Sequence, residues 1–176
     1  MNHAQTEKLY NTATTLALSG GAKYILDLYC GIGTITLSLA RQAERVIGVE
    51  VVPQAIEDAK QNCKLNGITN AEFICADAGE AATLLAKRGE KPDAIVVDPP
   101  RKGLSPDVIA QIKKMAPETV VYVSCDPATL ARDLKIFCED NSYSVTSVQP
   151  VDMFPRTRHV ETVVLLVQTD STTKFA

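Results

Sequence analysis

The stretch that most constrains this chain is Ile25-Leu26-Asp27-Leu28-Tyr29-Cys30-Gly31-Ile32-Gly33-Thr34. A short apolar run passes directly into a glycine turn, and Ile35, Leu37, Leu39 and Ala40 then follow in a helical pattern. A strand, a glycine loop and a helix in that order form a unit that cradles nucleotides. Glycine lets the backbone turn tightly and lets a ligand come close, because it has no Cβ. A second apolar strand, Val46-Ile47-Gly48-Val49, ends in Glu50, whose carboxylate is placed to accept hydrogen bonds from both hydroxyls of a ribose. The bland alternative is a structural strand-to-helix turn with no ligand.

The loop narrows the choice of nucleotide. A dinucleotide fingerprint has a third glycine that allows the helix to pack closely on the strand. Thr36 stands at that position. The pattern Asp-x-x-Cys-Gly-x-Gly followed by a later Glu is instead similar to the S-adenosylmethionine loop of class I methyltransferases.

Strand and helix alternate along the rest of the chain. Thr6 to Leu18 reads as an opening helix, stopped by Gly20-Gly21. Pro53 sits where a first helical turn accepts proline, and that helix ends at Asn66-Gly67. Ala71 to Cys75 reads as a third strand followed by Asp77, and Glu80 to Lys87 as a helix. Asp93 to Val97 is a fourth strand, ending in Asp98-Pro99-Pro100-Arg101-Lys102-Gly103. Ser105 caps a helix through Met115. Thr119 to Val123 is a fifth strand, ending in Ser124-Cys125-Asp126-Pro127, and Leu130, Leu134, Phe137 and Cys138 mark the next helix. Strands near Tyr143 to Val148 and from Glu161 to Val167 close the pattern, and Thr169 to Ala176 reads as a frayed tail. This predicts an α/β fold: a mostly parallel, doubly wound seven-stranded sheet with helices on both faces. In such sheets ligands bind at the carboxyl ends of the strands. Every unusual polar motif falls at such an end, which predicts one active site.

At 176 residues and 45% hydrophobic content the chain is the size of a single domain with a full core. Its net charge of -3 is unusual for a stand-alone nucleic-acid binder. The five cysteines are odd in number and include no C-x-x-C pair, which argues against a disulfide framework or a metal site. No apolar run reaches the about 18 residues of a membrane span, and the first residues are polar, so the expected compartment is the cytoplasm.

Cys125 lies just before a helix N-terminus, a position that favours the thiolate. Asp126 opposes this unless its carboxylate is taken up in capping the helix. Cys63, Cys75 and Cys138 read as small buried hydrophobes, and Cys30 as loop structure. Asp98-Pro99-Pro100 resembles the catalytic loop of nucleic-acid base methyltransferases, but Arg101 stands where amino-group methylators usually place an aromatic residue. Arg101 and Lys102 are suited to a phosphate or a base carbonyl, or are simply solvated loop charges. Glu161, at the start of a strand, reads on spacing alone as a surface carboxylate.

Four motifs together carry a closer resemblance. Asp27-Leu28-Tyr29-Cys30-Gly31-Ile32-Gly33-Thr34, Asp98-Pro99-Pro100-Arg101-Lys102-Gly103, Val123-Ser124-Cys125-Asp126-Pro127-Ala128-Thr129-Leu130-Ala131-Arg132-Asp133 and His159-Val160-Glu161-Thr162-Val163 look like the RNA uracil-5-methyltransferase family. The last two are more similar to its bacterial 23S ribosomal RNA branch than to its transfer-RNA branch. The resemblance implies a Rossmann-like class I fold, S-adenosyl-L-methionine as cofactor and RNA as partner, with neither a membrane nor a metal involved in this stretch. It also implies a single catalytic domain over residues 1–176, without the N-terminal RNA-binding barrel and central insert of longer relatives. By resemblance Cys125 is the nucleophile that adds to uracil C6, Glu161 the base that removes the C5 proton, and Asp98 a contact to the base. Tyr29, Gly31, Gly33, Thr34, Glu50, Asp77 and Asp98 are expected around the cofactor, and Arg101 and Lys102 near the substrate. The competing readings are a methyltransferase for amino groups of RNA bases or small molecules, and a fragment that holds cofactor without turning over.

Overall fold

The computed structural model describes residues 3–153 and 160–170. Seven strands form one sheet in the order β3-β2-β1-β4-β5-β7-β6. The strands are β1 (Tyr24–Leu28), β2 (Arg45–Glu50), β3 (Ala71–Cys75), β4 (Ala94–Val97), β5 (Thr119–Ser124), β6 (Tyr143–Val151) and β7 (Glu161–Gln168). The helices are α1 (His3–Leu18), α2 (Thr34–Ala40), α3 (Pro53–Leu65), α4 (Ala78–Lys87), α5 (Pro106–Met115) and α6 (Pro127–Cys138). β1 to β5 run parallel, and β7 enters antiparallel between β5 and β6.

Both sheet faces are buried, so the central strands are apolar throughout rather than alternating. Leu26, Leu28, Ile95, Val97, Val120 and Tyr122 pack against α4, α5 and α6. Ile25, Val46, Val96, Val121 and Val163 pack on the other face, where α1 and α2 lie. Asp27 is the exception within this fabric, a carboxylate in mid-strand at 1% exposure.

The element boundaries differ from the sequence pattern by a few residues, each for a local reason. β4 begins at Ala94 because the Asp93 carboxylate accepts the backbone N–H groups of Lys23 and Tyr24, both at 2.8 Å. α4 begins two residues early because Asp77 caps it, accepting from the Gly79 N–H at 2.8 Å. β6 runs on through Pro150, which an edge strand tolerates because one side of its backbone has no partner strand. Residues 171–176 of the expected tail lie outside the described residues.

The glycine loop is built from left-handed backbone. Tyr29, Gly31 and Gly33 have φ of 73°, 53° and 86°. At Gly33 a Cβ would stand 2.8 Å from the Leu37 side chain and 3.2 Å from that of Ala59, whereas at Gly31 it would meet nothing within 4 Å. Gly31→Ala should therefore cost about 1–2 kcal/mol from its backbone conformation alone. Gly33→Ala should cost more, because the α2–α3 packing must also give way. Urea unfolding of the two variants checks this. Equal losses would show that packing at Gly33 contributes nothing.

Candidate active site

The β1 loop is fastened from two directions. The Cys30 N–H donates to the Val49 carbonyl at 2.8 Å, and the Gly33 N–H to the Cys30 carbonyl at 2.9 Å. Glu50, at the end of β2, accepts from the Gly31 N–H at 3.2 Å and from the Val52 N–H at 2.9 Å. It thus organises the loop with one lone pair on each oxygen and keeps others for a ligand. The missing third glycine also finds its reason. Thr36 is fully buried and donates its hydroxyl to Asp27 Oδ2 at 2.5 Å. Among the described residues Asp27 Oδ1 has no hydrogen-bond partner.

Two adjoining cavities open at this edge of the sheet. One, of about 250 Å³, is lined by Tyr10, Asp27, Tyr29, Ile32, Thr34 and Asp98. The other, of about 450 Å³, is lined by Tyr29, Glu50, Asp77, Asp98, Lys102 and Ser105, among others. Tyr29 and Asp98 border both, and together the two have the size of a nucleotide-type ligand site. Burial raises the Asp27 carboxyl to about 7, with the Thr36 hydrogen bond opposing and Asp98 and Glu50 adding to the rise. Burial followed by Glu161 raises Asp98 to about 7 as well. An unpartnered carboxylate oxygen and two crowded acids facing one cavity suit a cationic ligand, while Glu50 suits hydroxyl donors.

Cys125 follows β5 directly and lies within electrostatic reach of Asp98. Asp126 caps α6, accepting from the Ala128 and Thr129 N–H groups at 3.0 and 3.2 Å. Those bonds lower its carboxyl below the usual range, so its charge is taken up by the helix end as expected. The antiparallel register pairs Ser124 with Thr162, so Cys125 and Glu161 leave β5 and β7 at the same edge. The expectation of a thiolate-favouring position is corrected here. Burial and then Glu161 push the Cys125 thiol up, against a smaller lowering by Arg101. The helix N-terminus is outweighed because the thiol is half-buried beside a carboxylate.

The remaining candidates divide. Arg101 lies within electrostatic reach of Cys125 and Asp126. Lys102 lines the larger cavity with Glu50 and Asp77 rather than standing with Arg101. Asp77 borders that cavity while serving as the α4 cap. Cys30 is buried, and burial followed by Asp27 and Glu50 raises its thiol, in keeping with a loop role. Cys75 is exposed, which corrects its reading as a buried hydrophobe: it is the last residue of an edge strand. His159 lies outside the described residues. Tyr10 was not legible as a site residue. α1 brings it to the smaller cavity, where burial and then Asp98, Glu161 and Asp27 raise its hydroxyl. Its only signal in the sequence is a polar-tipped aromatic among the apolar positions Leu9 and Ala13. Among the described residues no cluster of His, Cys, Asp or Glu could hold a metal ion, and no helix is long and apolar enough to cross a membrane.

Asp27 and Asp98 both sit well above the ordinary carboxyl value of 3.8. The folded chain therefore holds protons that the unfolded chain has released between about pH 4 and about pH 7. Their contribution to stability is present at low pH and is lost as pH rises through about 7. The thermal midpoint of the ligand-free chain should fall between about pH 5 and about pH 8, and Asp27→Asn and Asp98→Asn should each flatten that slope. A slope unchanged in both variants would contradict the assignment.

The chain matches the family model described as tRNA (Uracil-5-)-methyltransferase over residues 2–169. An uncharacterized RNA methyltransferase of Clostridium acetobutylicum is 51% identical over 97% of this chain and 37% of that protein. Another, from Halalkalibacterium halodurans, is 51% identical over 94% of this chain and 36% of its own length. The chain thus spans little more than a third of the curated relatives it matches. Among solved structures, the Pyrococcus abyssi tRNA (uracil-54, C5)-methyltransferase in complex with S-adenosyl-L-homocysteine is similar with a TM-score of 0.79 and 36% identity, over 91% of this chain and 37% of that one. The N-methyltransferase NodS of Bradyrhizobium japonicum, at 19% identity and a TM-score of 0.75, covers 95% of this chain and 98% of its own and shares the fold. Ordered motifs, sheet topology and site geometry agree with these matches: the chain belongs to the tRNA (uracil-5-)-methyltransferase family.

Proposed function

We propose that this chain is the catalytic part of a longer, cytoplasmic enzyme that methylates C5 of a uridine in RNA, with S-adenosyl-L-methionine as methyl donor. The observation that carries the reading is the β5–β7 pairing, which brings Cys125 and Glu161 to one edge, within electrostatic reach of Asp98, the residue that borders both cavities. Glu50 would hold the ribose hydroxyls of the donor, and Asp27 and Asp98 would face its cationic end. Tyr29, Gly31, Gly33, Thr34 and Asp77 would shape the rest of the pocket. The donor, when bound, supplies an electrophilic methyl group for C5 to take up.

The protein's own part is to make C5 nucleophilic and then release the product. The Cys125 thiol gives its proton to solvent water, and its sulfur bonds to C6. The C5=C6 electron pair moves to C5 and the C4 carbonyl, giving an enolate that Asp98 and Arg101 flank. After methylation Glu161 removes the C5 proton, the C5=C6 bond re-forms, and the C6–S bond breaks to free Cys125. A stacked target base must first leave its helix, at a cost of a few kcal/mol. The His159-to-Val163 and Val123-to-Asp133 motifs favour 23S ribosomal RNA as the substrate, and an N-terminal RNA-binding barrel in the longer protein would hold it.

Replacing Cys125 and Glu161 in the longer protein separates their roles. Cys125→Ala should bind S-adenosylhomocysteine normally, form no covalent RNA adduct and lose turnover by about a thousandfold or more. Glu161→Gln should permit addition and methylation and then stall, so that a protein–RNA adduct accumulates on a denaturing gel. Methylation of uridine by Cys125→Ala would overturn the nucleophile assignment and favour an amino-group methyltransferase.

A further inference from the structure

The segment Thr129-Leu130-Ala131-Arg132-Asp133 follows the nucleophile on α6, yet the chemistry above leaves it without a role. Asp133 is completely buried. Its Oδ2 accepts from the Leu104 N–H at 2.8 Å and from the Tyr122 hydroxyl at 2.7 Å. Its Oδ1 pairs with Arg132 Nε at 2.8 Å and Nη2 at 2.7 Å. Adjacent residues on a helix do not normally face each other. Here the Arg132 guanidinium folds back to do so, and the same Nη2 donates to the carbonyls of Lys102 at 2.9 Å and Leu104 at 3.1 Å. Thr129 adds a hydroxyl donated to the Arg101 carbonyl at 3.1 Å. Three carbonyls and one N–H of the 101–104 loop are thereby tied to one helix. Contact is so close that a Cβ on Gly103 would lie 2.5 Å from Asp133 Oδ2 and 2.7 Å from Arg132 Nη2.

The tied loop joins two parts of the site. Lys102 and Gly103 form one wall of the cavity that Glu50 and Asp77 also line. Arg101 stands within electrostatic reach of Cys125. α6 itself begins immediately after Cys125 and Asp126. We propose that Arg132, Asp133 and Thr129 are positioning residues that lock the 101–104 loop to the nucleophile's helix, so that one ion pair, between a half-exposed guanidinium and a fully buried carboxylate, sets the donor pocket's wall and the approach to Cys125 in a common register. None of the three lines either cavity. Arg132 and Asp133 act through the loop backbone, and Thr129 adds specificity to the register at Arg101. The inference rests on the methyltransferase reading.

The test compares Arg132→Met, Thr129→Val and Thr129→Ser with Phe137→Leu, a fully buried core change on the same helix that serves as a control for destabilisation. Three readouts are taken: hydrogen exchange of the 101–105 amides, affinity for S-adenosylhomocysteine by calorimetry, and single-turnover methylation by the longer protein at saturating donor. Arg132→Met should speed exchange of the loop and lower both affinity and rate by about tenfold to a hundredfold, the scale of a small misplacement of reacting groups. Thr129→Val should lower both less, and Thr129→Ser should recover wild-type behaviour because it restores the hydroxyl. Phe137→Leu should lower the thermal midpoint while leaving affinity and rate within about twofold of wild type. If Arg132→Met keeps both affinity and rate, or if Phe137→Leu loses them equally, the positioning role is overturned. If the wild-type protein neither binds S-adenosylhomocysteine nor methylates RNA, it is the methyltransferase reading that fails.

Discussion

The antiparallel entry of β7 beside β5 is the constraint on which the site depends. Five parallel strands deliver their loops to one edge, as any doubly wound sheet does. A parallel β7 would start at the opposite edge and carry Glu161 away from Cys125. Reversal brings the first residue of β7 level with the residue after β5, because Ser124 pairs with Thr162. Bringing Cys125 and Glu161, separated by thirty-five residues of chain, to one edge is thus a matter of strand direction and register. One residue of slip would turn every β7 side chain to the other face. The core guards against that, since Val163, Leu165 and Val167 pack on one face and Val164 and Leu166 on the other.

Crowding of acids is the second physical theme. Burial raises both Asp27 and Asp98 to about 7, with Asp98 and Glu50 adding to the rise at Asp27 and Glu161 to that at Asp98. Thr36 donates its hydroxyl to one Asp27 oxygen, and among the described residues the other oxygen has no partner. Such an arrangement is costly in the empty protein and is relieved by a cationic ligand. Burial and then Glu161 push the Cys125 thiol up as well, away from the thiolate. That protects an accessible cysteine from adventitious chemistry, because reactivity follows the thiolate fraction.

Much of this was legible in the sequence because the signals are local. Apolar runs ending in glycine or Asp-Pro-Pro mark strand ends, Ser105 reads as a cap and is one, and Asp126 takes the capping role that the sequence left open. The seven-stranded sheet with helices on both faces follows from the same alternation. What was not legible depends on contacts between distant segments. Tyr10 reaches the cavity only because α1 packs across β4, β5 and β7. The Arg132–Asp133 tie to the 101–104 loop is invisible in a helix whose charges look solvated. The raised Cys125 thiol is not legible because the helix end is a local cue, whereas burial, and then Glu161 from another strand, come only with tertiary packing.

The central claim is that Cys125, and no other thiol, attacks the pyrimidine from this edge of the sheet. Incubating the wild-type longer protein with S-adenosylmethionine and RNA carrying 5-fluorouridine tests it most directly, since fluorine at C5 cannot leave as a proton and the adduct is trapped. Proteolysis and mass spectrometry should find the nucleotide on the peptide containing Cys125 alone. No adduct, or an adduct on the exposed Cys75 or on Cys30, would contradict the account.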